Sequence, residues 1–289
     1  MASGYSPTPM KTPVIVKDIH ALRAALTPWR RERIGLVPTM GALHEGHLSL
    51  VRETQNHADK IVVSIFVNPA QFAPHEDFDR YPRALDSDME KLAGTGAVDL
   101  VFAPSVVEMY PQGFATKVEV GGPSQGLETD FRPHFFGGVA TVVSKLLIAA
   151  LPDVAIFGEK DYQQLLVIRR MTADLSLPIR ILGGAIMREA DGLAMSSRNA
   201  YLKPEERKVA GKLNLALRDA IARVRGGTTV TNAEAFGTRA LFDAGFNTVD
   251  YVAIRDAETL VPVSSLARPA RILAAARIGA TRLIDNMAV

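Results

Sequence analysis

The sequence predicts an α/β protein: a Rossmann-like parallel sheet with helices on both faces, followed by a smaller α+β domain. Over residues 1–186, short β-branched runs alternate with longer segments of helical period, the order that builds a parallel sheet wrapped by helices. Runs such as "IVVSIFV" at 61–67 are apolar at nearly every position, as strands buried on both faces must be. After about residue 186 the alternation stops. A hairpin signal, two helical stretches and three strand-like stretches take its place over 187–289.

In chain order, "MASGYSPTPMKTP" is rich in Pro, Ser and Thr and lacks an apolar core, so 1–12 reads as a loose tail, not a signal peptide. Strands are expected at 14–16, 34–38, 61–67, 99–103, 154–157 and 179–182, with helices between them at about 18–29, 46–58, 83–94, 138–150 and 162–175. In "MREADGLAMSSRN" the Asp191-Gly192 dipeptide predicts a turn between two short extended pieces. Pro204 then opens a helix with Val209, Leu213, Leu217, Ile221 and Val224 on one stripe, ended by Gly226-Gly227. A second helix runs to about Gly245, and strands follow at 248–254, 271–278 and 281–289.

Composition excludes several classes. The chain has 289 residues, 47% hydrophobic and 22% charged, enough for a large and a small domain. The 33 Lys+Arg against 31 Asp+Glu leave a net charge of +2, which gives no bulk field for nucleic acid or an anionic membrane. With no cysteine, disulfides, thiolate nucleophiles and cysteine zinc sites are ruled out. The longest apolar region, 138–158, is broken by Lys145, Pro152 and Asp153 and cannot span a bilayer, so a cytoplasmic protein is expected.

The chemistry gathers first at "VPTMGALHEGH", residues 37–47. A helical zinc site needs two imidazoles at i and i+4, whereas His44 and His47 are three apart and no third ligand cluster accompanies them. A phosphate cradle fits better: a buried strand runs into a turn, and the helix beyond it offers an N-terminus to an anion. Gly41 and Gly46 would let the backbone come close, and both histidines could donate to phosphate oxygens. Spacing alone leaves this cradle and a plain strand-to-helix turn equally open.

The stretch "PTMGALHEGHLSLV" carries the His-x-Gly-His signature of the nucleotidyl-transfer superfamily, and the chain resembles its pantoate–β-alanine ligase (pantothenate synthetase) family. Further matching blocks are "SIFVNPAQF" at 64–72, "FDRYPR" at 78–83, "GVATVVSKLL" at 138–147, "FGEKDYQQL" at 157–165 and "READGLAMSSRN" at 188–199. They stand in the family's order, and the resemblance runs over essentially the whole chain. It implies that pantoate's carboxylate attacks the α-phosphate of ATP to give an adenylate and pyrophosphate. The amine of β-alanine then displaces AMP. Such a reaction needs positioning and charge stabilisation, not a nucleophilic side chain.

The resemblance implies a residue for each task. ATP would be surrounded by Met40, Gly41, Ala42, Leu43, His44, Glu45, Gly46 and His47, by Gly158, Glu159, Lys160 and Asp161, and by Met187, Met195, Ser196, Ser197 and Arg198. The catalytic members would be His47, His44, Lys160 and Arg198, with His47 the family's proton donor. An imidazole of ordinary pKa, about 6.5, can be cationic beside phosphate. Lys160 is the point charge and Arg198 the forked cation of a loop that could close as a lid. Asp161 and Gln164 also have the spacing of a capping box, and without the resemblance Lys160 would be a solvated lysine and Ser-Ser-Arg-Asn a turn. Gln71 and Gln164 would hold pantoate through amides able to donate or accept, in a pocket walled by Pro38, Thr39 and Met40, with Asn68 fixing the turn before Gln71.

Mg²⁺ would neutralise the β- and γ-phosphates, with Asp88 its ligand by family position. Relatives often have an acidic residue at Ser87, and Asp86 and Asp88 could equally be solvated charges of a helix's first turn. In "RPHFFGGV" His134 stands one place off the family's histidine and receives no role; His20, His57 and His75 read as surface or packing residues. The resemblance also implies a homodimer, with pantoate, β-alanine and ATP as the small-molecule partners. Three competing readings are nucleotidyl transfer to a phosphate ester, tRNA charging and a nucleotide sensor without turnover. The second lacks room for an anticodon-binding domain and has no basic stripe.

Overall fold

The computed structural model describes residues 12–73 and 76–289; His75 and all but the last residue of the expected tail lie outside them. Ten α-helices and nine strands are formed among the described residues. The first part of the chain alternates β1 (Val14–Val16), α1 (Ile19–Leu26), β2 (Ile34–Thr39), α2 (Glu45–Thr54), β3 (Lys60–Ile65), α3 (Leu85–Thr95) and β4 (Leu100–Phe102). Two short helices, α4 (Val106–Met109) and α5 (Glu128–Phe131), precede the long α6 (Phe135–Ala150). Then come β5 (Val154–Gly158), α7 (Tyr162–Asp174) and β6 (Arg180–Gly184). The sequence pattern predicts neither α4 nor α5, because four residues carry too little of a 3.6-residue period to register.

Strands β1 to β6 form one fully parallel sheet in the order β1-β4-β3-β2-β5-β6. Successive residues of each strand feed opposite cores, which is why the runs are apolar throughout. Leu36, Val62, Phe102 and Phe157 pack with α1, α6 and α7 on one face. Val37, Val63, Val101 and Ile156 pack with α2 and α3 on the other. Connections leave β2 toward β3 on one side and reach β5 on the other, so strand order reverses between β2 and β5. Ligands of open α/β sheets lodge beyond the carboxyl ends of strands at such a reversal.

Beyond β6 the chain forms α8 (Pro204–Ala210), α9 (Lys212–Arg225), α10 (Val230–Ala244) and the antiparallel strands β7 (Thr248–Asp256), β8 (Ala270–Ile278) and β9 (Thr281–Ala288). The helix expected to run unbroken from Pro204 is interrupted at Gly211. There the Gly211 carbonyl accepts a hydrogen bond from Asn214 (2.8 Å), and the Asp191 carboxylate occupies the space beside the Gly211 Cα. Leu213, Leu217, Ile221 and Val224 cover the second sheet, as their stripe predicts. The hairpin at Asp191-Gly192 is also present: Gly192 has φ +88°, and Arg188 pairs with Ala194.

Candidate functional site

A cavity of about 760 Å³ opens at the carboxyl ends of β2 and β5 and is roofed by the 187–201 loop and the second sheet. The resemblance-derived residues Pro38, Thr39, Met40, His44, Gly46, His47, Gln71, Gly158, Lys160, Asp161, Gln164, Met187 and Met195 through Arg198 all line it. The 195–198 loop and the histidines therefore share one cavity. Ser197 donates its hydroxyl to the Ala42 carbonyl (3.2 Å), seating that loop on the turn before α2.

The turn is built from β2 outward. Gly41 (φ +79°) and Ala42 (φ +50°) are both left-handed, a strained choice for Ala42 that needs outside support. Asp88 supplies it: the carboxylate, 1% exposed, accepts the N–H groups of Ala42 (2.9 Å) and Leu43 (2.8 Å). The Gly41 N–H goes to the Thr39 hydroxyl (3.2 Å), and Lys91 Nζ donates to the Leu43 carbonyl (2.8 Å).

His44 is then the N-cap of α2. Its Nδ1 accepts the Gly46 N–H (3.2 Å), while its own N–H donates to His47 Nδ1 (3.3 Å). Gly46 is required here, since a Cβ would lie 2.9 Å from the His44 ring. A neutral imidazole whose Nδ1 accepts must carry its proton on Nε2. Both rings, 4.1 Å apart, are thus Nε2–H donors in the cavity wall.

Their electrostatics correct the expectation of a cationic imidazole. Burial, followed by the positive charges of Lys160 and Lys91, pushes His44 down to about 4. Burial, His44 and the same two lysines push His47 down to about 3. Both are neutral at pH 7 in the free site. After burial, the charges of Lys160 and Lys91 add to both shifts, and an anion beside the rings would offset them.

The cations divide. Lys160 Nζ has no ion-pair partner among the described residues. Arg198 instead donates Nε and Nη2 to Asp77 (both 2.9 Å). Asp161 caps α7 only by position: its side chain makes no capping bond, so the expected capping box is absent and its carboxylate stays in the cavity wall. Gln71, buried at 8% exposure, has Oε1 accepting from Asn68 (2.9 Å), and its NH₂ makes no hydrogen bond among the described residues. Asn68, fixed by the Tyr110 hydroxyl (2.7 Å), also accepts the Ala70 N–H and so holds the turn as expected. Gln164 makes no side-chain hydrogen bond among the described residues, whereas its neighbour Gln163 is consumed by Pro123, Gly126 and Glu128.

Several expected residues face elsewhere. Glu45 pairs with Arg52 on the surface, Glu159 pairs with Arg271 (3.0 Å), and Gly41, Ala42 and Leu43 support the turn from behind without lining the cavity. Each Asp88 oxygen accepts one backbone N–H of the turn, and Asp88 is not among the residues that line the cavity. Among the described residues no group of three or more His, Asp or Glu could hold a metal ion. Sequence reasoning missed Lys91, Asp77, the Arg132–Glu76 pair (2.6 Å) and the buried Glu128–Arg282–Asp250 network, all formed between distant segments.

Comparison with known proteins gives one consistent family. The Pantoate-beta-alanine ligase family model matches residues 14–288. The chain is 55% identical over 282 residues to a pantothenate synthetase of Mesorhizobium japonicum, covering 97% of this chain and 99% of that one. It is 53% identical to that of Caulobacter vibrioides, covering 97% and 100%. Among solved structures, pantothenate synthetase from Thermus thermophilus superposes with a TM-score of 0.90 at 48% identity, over 95% of this chain and 98% of that one. A Francisella tularensis pantoate-beta-alanine ligase, complexed with β-γ ATP and β-alanine, gives 0.81 at 32% identity, over 96% and 97%.

Proposed function

Because the chain belongs to the pantoate-beta-alanine ligase family, we propose that the cavity at the ends of β2 and β5 is where it joins pantoate to β-alanine. The reaction is the ATP-dependent condensation of (R)-pantoate with β-alanine to pantothenate, AMP and pyrophosphate through a pantoyl-adenylate. The observation that carries the assignment of this site is the pair of Nε2–H imidazoles sharing one cavity with Lys160, at the point where strand order reverses.

In the first step a pantoate carboxylate oxygen bonds to the α-phosphorus as the bond from that phosphorus to pyrophosphate breaks. His44 and His47 donate Nε2–H to phosphate oxygens, and Lys160, without an ion-pair partner among the described residues, supplies a positive charge. Neutral donors fixed in a half-dry wall need no reorganisation as charge shifts toward the leaving group. Arg198 would add a forked contact once it exchanges Asp77 for phosphate. The Gln71 NH₂ and the Gln164 amide are assigned to pantoate, whose methyls would rest on Met40. In the second step the neutral amine of β-alanine attacks the acyl carbon, the C–O bond to AMP breaks, and the amine proton passes to solvent.

Mg²⁺ is assigned to the substrate side, arriving on the triphosphate and neutralising its charge. Residues 187–289 are assigned a lid role, since their loop roofs the cavity and rests on Ala42. A cytoplasmic homodimer is the proposed setting; no helix of the described residues is long and apolar enough to cross a membrane. The test is a coupled assay: AMP and pantothenate should appear only when pantoate, β-alanine and ATP are all present. AMP formation that ignores pantoate, or a dinucleotide product, would overturn the proposal.

A further inference from the structure

The last strand reaches both loops that bear the cavity's cations. Asn286 of β9, 2% exposed, donates both hydrogens of its amide to main-chain carbonyls, those of Glu159 and Lys160 (2.9 Å each). Its Oδ1 accepts from Arg271 Nε, and Arg271 in turn pairs with Glu159 (3.0 Å) and lies 3.8 Å over the Tyr162 ring. The adjacent Asp285, also 2% exposed, takes a two-pronged contact from Arg188 (2.7 and 2.9 Å). Arg188 also donates to the Gly192 carbonyl (2.9 Å), which fixes the hairpin leading into Met195–Arg198.

Polar groups so deeply buried are kept only where their partners are fixed. Here the partners lead to the two loops: Asn286 reaches Glu159 and Lys160 directly and through Arg271, and Asp285 reaches the 192 turn through Arg188. Neither Asp285 nor Asn286 carries a free donor or charge for a substrate. We propose that Asp285 and Asn286 form a positioning clamp that sets the separation of Lys160 from the 195–198 loop. This rests on the assignment of both loops to ATP. The clamp links the seating of β9 to adenylation: without Asn286 the carbonyls of Glu159 and Lys160 lose their anchor.

The experiment compares wild type, N286A, K160A and the double variant by pyrophosphate release with ATP and pantoate, normalised to folded protein. Displacing a catalytic group by about 1 Å costs on the order of 100-fold, so N286A should release pyrophosphate roughly 10- to 100-fold more slowly. The KM for pantoate should move less than about threefold, because Gln71 is anchored by Asn68 and not by β9. The double variant should be no slower than K160A within about threefold, since Asn286 acts through Lys160. Independent penalties that multiply, or an unchanged N286A rate, would overturn the clamp. Hydrogen exchange gives a readout free of turnover. Amides of 159–163 should exchange faster in N286A, and equal exchange would also overturn it. Should N286A not fold, N286S carries the same comparisons. If the wild type itself makes no pyrophosphate while exchange still responds, the functional reading fails and the clamp stands.

Discussion

Replacing His47 with Asn removes the titratable ring and retains an oxygen near the Nδ1 position, so the bond from the His44 N–H is kept. The folded pKa of His47 is about 3, below the ordinary 6.5 of an unfolded histidine. Between those values the unfolded chain binds a proton that the folded protein refuses, so stability falls as pH drops below about 6.5 and is fully present above it. Each pH unit across that window is worth about 1.4 kcal/mol, so 1.5 units down to pH 5 cost about 2 kcal/mol. Partial exposure of the ring reduces this to about 1–2 kcal/mol. The assay is urea unfolding of wild type and H47N at pH 7 and pH 5. Wild type should lose about 1–2 kcal/mol more than H47N on acidification. Equal losses would refute the claim that His47 is held neutral by its surroundings.

Other substitutions separate the roles of neighbouring groups. K160A should slow pyrophosphate release by about 10²–10³-fold and leave pantoate affinity nearly unchanged, as the loss of one preorganised charge-stabilising contact does. Q71A should raise the pantoate KM about tenfold, the equivalent of one hydrogen bond to a charged group, with little change for ATP. D88N places an amide NH₂ against a backbone N–H of the 42–43 turn and should destabilise the fold by about 1–3 kcal/mol. The Mg²⁺ concentration for half-maximal rate should stay the same in D88N, and a shift of tenfold or more would make Asp88 a metal ligand.

The parallel sheet was legible because strands buried on both faces must be apolar throughout, and "IVVSIFV" has no other economical reading. The His44–His47 turn was legible as a possible anion site from its place between a buried strand and a helix start. What could not be read locally depends on partners far away in the chain. Asp88 has the look of a first-turn helix charge, yet its oxygens face a turn 45 residues earlier. Arg198 has the look of a free cation until Asp77, 121 residues before it, takes its fork. The charge state of the histidines has the same origin: burial and two lysines from separate segments outweigh the ordinary imidazole pKa. The break at Gly211 likewise falls where the Asp191 carboxylate, from a turn 20 residues earlier, leaves no room for a Cβ.

The most direct test is a crystal structure with pantoate and a non-hydrolysable ATP analogue. The α-phosphate should lie within hydrogen-bonding distance of His44 Nε2 and His47 Nε2, with Lys160 Nζ on the same triphosphate. A nucleotide bound with its phosphates away from the β2–β5 junction, or with both imidazole Nε2 atoms facing solvent, would contradict the account.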